Sequence, residues 1–121
     1  MQGGLLEQRI QDIAEASVRL EEAKNEYQES EEKDRQASQD PSKTIKMYGL
    51  TMILESETPE KLELLNNCRK EYSRSIQKFH SAISWAKKIR INTLEYQERV
   101  VQIVGEDYER MARRSLNGGK N

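Results

Sequence analysis

The sequence predicts an all-α protein: an elongated, coiled-coil-like antiparallel helical hairpin with a short helical corner and a C-terminal helical arm. Three observations carry this expectation. First, helix breakers are scarce, with 6 Gly and 2 Pro in 121 residues, and four of those Gly sit in the end pairs Gly3-Gly4 and Gly118-Gly119. Second, two long stretches repeat apolar residues at heptad-like spacing. Third, charge is divided between them. Residues 1–60 carry 14 acidic and 7 basic side chains, a net of −7, whereas residues 61–121 carry 7 and 13, a net of +6. The whole chain, at −1, hides this polarity.

Size and composition fit one helical domain spanning residues 1–121. Apolar residues make up 35% and charged residues 34%, which leaves a modest core. No apolar run approaches the roughly 20 residues that cross a bilayer. The N-terminal run Met1-Gln2-Gly3-Gly4-Leu5-Leu6-Glu7 meets charge at once and reads as no signal peptide. One cysteine cannot form an internal disulfide, so a cytoplasmic, reducing setting is expected.

The first helix is expected over residues 5–36. Ile13, Ala16, Leu20, Ala23 and Tyr27 recur at alternating steps of three and four, and Leu6 and Ile10 extend the seam backwards. Beyond Tyr27 the same register meets Ser30, Asp34 and Ala37, so the apolar seam fades there. Residues 21–40 hold eight acids against Lys24, Lys33 and Arg35. That run reads as a solvated face and as an electrostatic mate for the basic segment that follows.

Asp40-Pro41 and Thr58-Pro59 each read as a helix start, with an oxygen-bearing cap before a proline at the first helical position. Between them, residues 41–55 form the least polar stretch. Ile45, Tyr48 and Met52 share a helical face, and the cap at Asp40 favours a short helix; a strand fits the same short apolar run.

The second long helix is expected over residues 59–104. Leu62, Leu65, Cys68, Tyr72, Ile76, Phe79, Ile83, Ala86 and Ile89 keep helical spacing, and the pattern resumes at Tyr96 and Val100. Arg90-Ile91-Asn92-Thr93 is a weak helical stretch and a candidate break at residues 90–93. A terminal helix over residues 106–116 and a disordered tail over residues 117–121 complete the expectation. Unbroken, the second helix would be about 69 Å long against about 48 Å for the first. The excess predicts an unpaired apolar arm, preferred here over a fold-back. Its stripe of Tyr96, Val100, Ile103, Val104, Tyr108 and Met111 is the expected partner-binding surface. Ile45, Tyr48, Leu50 and Met52 form a second candidate surface.

Motifs for chemistry are missing. One His (His80) and one Cys (Cys68) are too few for a zinc site, and no phosphate loop, GxSxG or HExxH occurs. No catalytic residue, cofactor, metal or small-molecule substrate is expected, and the chain reads as no enzyme. Between Arg69 and Arg90 seven bases face Glu71 alone. Lys78, Trp85, Lys87, Lys88 and Arg90 are the candidate polyanion-binding residues, so a nucleic-acid-binding helical protein is the alternative. The acidic half would repel the same polyanions, which disfavours nucleic acid and a membrane surface alike. The expected function is a non-enzymatic protein–protein interaction module: an assembly factor, adaptor or small helical chaperone. Its expected partner is another protein or a second copy, a dimer completing the core that one hairpin leaves thin.

Overall fold

The computed structural model describes residues 2–105, with side chains described from Gly4 onward. Helix α1 runs Gln2–Ala37, a short 3-10 turn spans Pro41–Lys43, and strands β1 (Thr44–Met47) and β2 (Leu50–Ile53) follow. Helices α2 (Thr58–Lys88) and α3 (Leu94–Val104) complete the described chain. The protein is mostly helical with one small antiparallel sheet. The chain divides into two compact units, Met1–Arg19 with Arg69–Asn121, and Leu20–Cys68.

In the first unit, the heptad residues of α1 do what their spacing requires. Leu6, Ile10, Ile13 and Ala16 are buried, as are Tyr72, Ile76, Phe79, Ala82, Ile83 and Ala86 of α2. The helix expected over residues 59–104 is broken at the candidate stretch 90–93: α2 stops at Lys88 and α3 starts at Leu94. The stop is a Schellman-type cap. Arg90 adopts φ 63°, the Ile91 amide donates to the Ala86 carbonyl at 2.9 Å, and the Arg90 amide donates to Lys87 at 3.1 Å. Glycine normally fills that left-handed position; here an arginine does, so the break showed in the sequence only as weak helical propensity. Asn92 Oδ1 then accepts from the Leu94 amide at 3.1 Å, giving α3 its start.

The preferred extended arm is corrected. Val100 is 0% exposed and Val104 is buried, so α3 folds its apolar edge into this unit's core. The Arg99 guanidinium grips the Glu7 carboxylate through both nitrogens, the Nη2–Oε2 contact being 2.8 Å. That hydrogen bond holds the Glu7 carboxyl below its ordinary value and raises Arg99. Folding back is the cheaper answer to an apolar stripe, because it covers Val100 without recruiting anything.

In the second unit, Leu20 and Ala23 of α1 and Leu65 and Cys68 of α2 are buried. The register that fades past Tyr27 in the sequence continues as a polar seam. Ser30 is buried and donates to the Tyr27 carbonyl at 2.7 Å. One turn on, Asp34 Oδ2 accepts from Ser56 Oγ at 2.7 Å and from Thr58 Oγ1 at 2.6 Å. Lys61 Nζ reaches Glu26 at 3.4 Å. Thr58 therefore does not serve as the accepting cap expected of it. Ser56 Oγ takes the Thr58 amide at 3.2 Å instead, and Thr58 spends its hydroxyl on Asp34.

The short helix expected over residues 41–55 is a β-hairpin. The Asp40 cap is present: Oδ1 accepts from the Ser42 amide at 3.0 Å and from its hydroxyl at 2.7 Å, which lowers the Asp40 pKa. It starts only the three-residue turn Pro41–Lys43. The chain then extends, and Gly49 (φ 74°) closes a two-residue turn after Tyr48 (φ 54°). Positive φ at both central residues matches the right-handed twist of paired strands.

Candidate interaction surfaces

The hairpin pairs Thr44 with Ile53, Ile45 with Met52, Lys46 with Thr51 and Met47 with Leu50. Side chains alternate across a strand, so Ile45, Met47, Leu50 and Met52 all stand on one face. Thr44, Lys46, Thr51 and Ile53 take the other. The first set is uniformly apolar and is 44–68% exposed. Of the second set, Ile53 is half-buried at the base and Thr44 is partly covered. At the base the Leu54 amide donates to the Lys43 carbonyl at 2.9 Å, extending the ladder.

This inverts the usual economy of a sheet. A two-stranded hairpin in water is marginal by itself, and its apolar face ordinarily provides the stabilisation by packing on a core. Here that face is open. The turn adds a second anomaly. Tyr48 is 95% exposed in a left-handed conformation that asparagine or glycine normally takes. A bulky side chain there costs about 1 kcal/mol or more.

A different surface lies in the first unit. Leu5 of α1 and Ala82 and Trp85 of α2 line a groove of about 510 Å³. Arg9, Arg74 and Lys78 line it. Of these residues, Trp85 is 46% exposed. The groove joins aromatic surface to three cations.

Against this geometry, the sequence-predicted residues divide. Val100 and Val104 belong to the core and cannot anchor a partner; Tyr96 and Ile103 are half-buried on α3. Tyr108 and Met111, with the expected terminal helix over 106–116 and the tail, lie outside the described residues. Lys78 and Trp85 meet in the groove, while Lys87, Lys88 and Arg90 are exposed at the end of α2. There the two lysines favour the negative end of the helix, which explains them without a ligand. Ile45, Tyr48, Leu50 and Met52 are all on the open hairpin, to which the structure adds Met47. Period-two alternation through residues 45–47 and 50–52 was the signal for it, masked by equally good helical spacing.

Cys68 is buried on the α2 stripe. His80, half-buried with its ring edge-on to Phe79 at 6.3 Å, has its pKa lowered by desolvation and then by the charge of Lys87. Among the described residues, no three His, Cys, Asp or Glu side chains gather to hold a metal ion. Nor is any described helix long and apolar enough to cross a membrane. No protein-family model, curated protein or solved structure matches the chain.

Proposed function

We propose that this chain is a non-enzymatic protein-interaction module, an adaptor, assembly factor or small helical chaperone, whose contact surface is the open face of the β1–β2 hairpin. The observation that carries the reading is the segregation of Ile45, Met47, Leu50 and Met52 onto one uncovered face beneath a strained, exposed Tyr48. Covering four half-exposed apolar side chains and one tyrosine is worth on the order of 6 kcal/mol before association entropy is subtracted. A free chain gains nothing from that arrangement; a bound one does. In this reading α1 and α2 pair as an antiparallel coiled-coil-like hairpin and carry the β1–β2 hairpin. The Asp34 hydrogen bonds to Ser56 and Thr58 and the Glu26–Lys61 pair support that packing. The single buried thiol is in keeping with a cytoplasmic setting.

The test is a photo-crosslinking amino acid at position 48 in cells that express the chain. A protein adduct that disappears when Ile45 and Met52 are changed to Asp supports the reading. Absence of any adduct, or one indifferent to those changes, refutes it.

A further inference from the structure

The Trp85 groove belongs wholly to the first unit and is separate from the β1–β2 hairpin. Along α2 its residues follow one ridge: Arg74, Lys78, Ala82 and Trp85 recur at steps of four, four and three, and Leu5 and Arg9 stand one turn apart on α1. The ridge is polarised. Ala82 and Trp85 make its apolar end, while Lys78 and Arg74 lie about 10 Å and about 16 Å from Trp85 by helical rise. Leu5 is 39% and Trp85 46% exposed, so apolar area there meets water. Among the described residues the lining holds three cations and no carboxylate. Arg9 reaches Asp12 at 3.6 Å, whereas Arg74 and Lys78 make no ion pair among the described residues. Exposed cations are ordinary on a helix. These differ in continuing the line of an exposed indole within a concavity of about 510 Å³.

We propose that this groove binds an acidic amphipathic helix of a partner protein, with one bulky apolar anchor against Leu5 and Trp85 and carboxylates against Lys78 and Arg74. The site is a second contact surface and does not rest on the reading of the hairpin. Lys78 and Arg74 stand seven and eleven residues before Trp85. A helix laid along α2 rises equally per residue, so its acids fall seven and eleven positions from its anchor, in whichever direction it runs. A small or apolar residue four positions from the anchor faces Ala82. Charge and shape choose this occupant together. Cations that lack carboxylates of their own attract an anionic segment and fix its register. The apolar end supplies desolvated contact area, and an aromatic anchor takes the offset or edge arrangements that ring pairs favour. Nucleic acid is matched less well. The groove offers three cations, one of them already near Asp12, and a single aromatic, while Lys87 and Lys88 lie beyond it at the end of α2. A nucleic-acid strand is held by a longer track of phosphate contacts and by successive stacking platforms.

Trp85 is the one tryptophan of the chain, so its emission reports on the groove. The probes are two tryptophan-free helical peptides, one with a Phe anchor before its Glu residues and one with the order reversed, both at the spacing above. Titrated into the full chain in roughly 0.05 M NaCl, one of them should shift Trp85 emission to the blue and saturate with a Kd on the order of 10–100 μM. Raising NaCl to roughly 0.5 M should weaken it about threefold or more. Arg74→Glu with Lys78→Glu should weaken binding about tenfold or more, and that variant should instead bind the peptide whose Glu residues are replaced by Lys. Both positions are exposed, so helicity by circular dichroism should not change. Ile45→Asp with Met52→Asp should leave the peptide's affinity as it was, which separates this site from the hairpin. No shift with either Glu peptide overturns the proposal. So does equal affinity for peptides carrying Gln in place of Glu, or a charge exchange that fails to restore binding. Tighter binding of a short oligothymidine strand, or of phosphatidylserine vesicles, overturns it in favour of nucleic acid or a membrane surface.

Discussion

Replacing Val100 by alanine separates a folded-back α3 from a free arm. Val100 is 0% exposed, so the change removes two buried methyl-sized groups. Their transfer is worth about 1.6 kcal/mol at about 0.8 kcal/mol each. A cavity on the order of 40 Å³, at about 24 cal/mol per Å³, adds about 1 kcal/mol. The expected loss is therefore about 2.5 kcal/mol, read from urea unfolding followed by helical circular dichroism. Val101→Ala is the internal control: Val101 is the adjacent valine of α3 but is 41% exposed, and it should change stability by about 0.5 kcal/mol or less. If the two variants unfold at the same urea concentration, α3 does not use Val100 to pack and the fold-back is wrong.

Arg90→Gly should raise stability by about 0.5–1 kcal/mol in the same assay, since glycine relieves the left-handed strain at the end of α2 and gives back part of the gain as backbone entropy; a loss would mean the cap depends on the arginine side chain. Asp34→Ala removes an acceptor shared by Ser56 and Thr58 and should cost about 2 kcal/mol, with amide exchange rising at residues 54–60; unchanged exchange would deny the seam its role. His80 gives a pH signature of known sign. Burial and Lys87 lower its folded-state pKa below the ordinary 6.5, so the unfolded chain binds the proton more readily. Stability present above pH 6.5 should be lost as pH falls through that value toward the folded pKa. His80→Gln should flatten the profile in this window, and an unchanged profile would assign the loss to other groups.

Much of the helical framework was legible because long periodic stretches leave few alternatives. The seam from Leu6 to Ala23 and the stripe from Leu65 to Ala86 bury as their spacing requires. What resisted reading was short or carried by an atypical residue. Between Asp40 and Thr58 the apolar positions satisfy a helix and a strand equally, and Tyr48-Gly49 lacks the Asn-Gly signature that announces a two-residue turn. The end of α2 was legible as the weak helical stretch 90–93, but not as a definite stop, because Arg90 occupies a place where glycine would have marked one. Ser30 and Asp34 looked like the end of a seam because hydrogen-bonded side chains do not register as hydrophobic period. For the candidate site, Ile45, Tyr48, Leu50 and Met52 were visible as apolar, but their common exposure depends on pairing register, which composition does not encode. Val100 and Val104 showed an amphipathic edge without showing which surface it meets.

The central claim is that the hairpin's apolar face is bare in the single chain and covered in the assembled state. Oxidative footprinting of Met47 and Met52 tests it directly, because both are about half exposed and stand on that face. In dilute protein both thioethers should oxidise nearly as fast as free methionine, and both should slow together as the chain associates. Slow oxidation already at high dilution, or fast oxidation that association leaves untouched, would contradict the account.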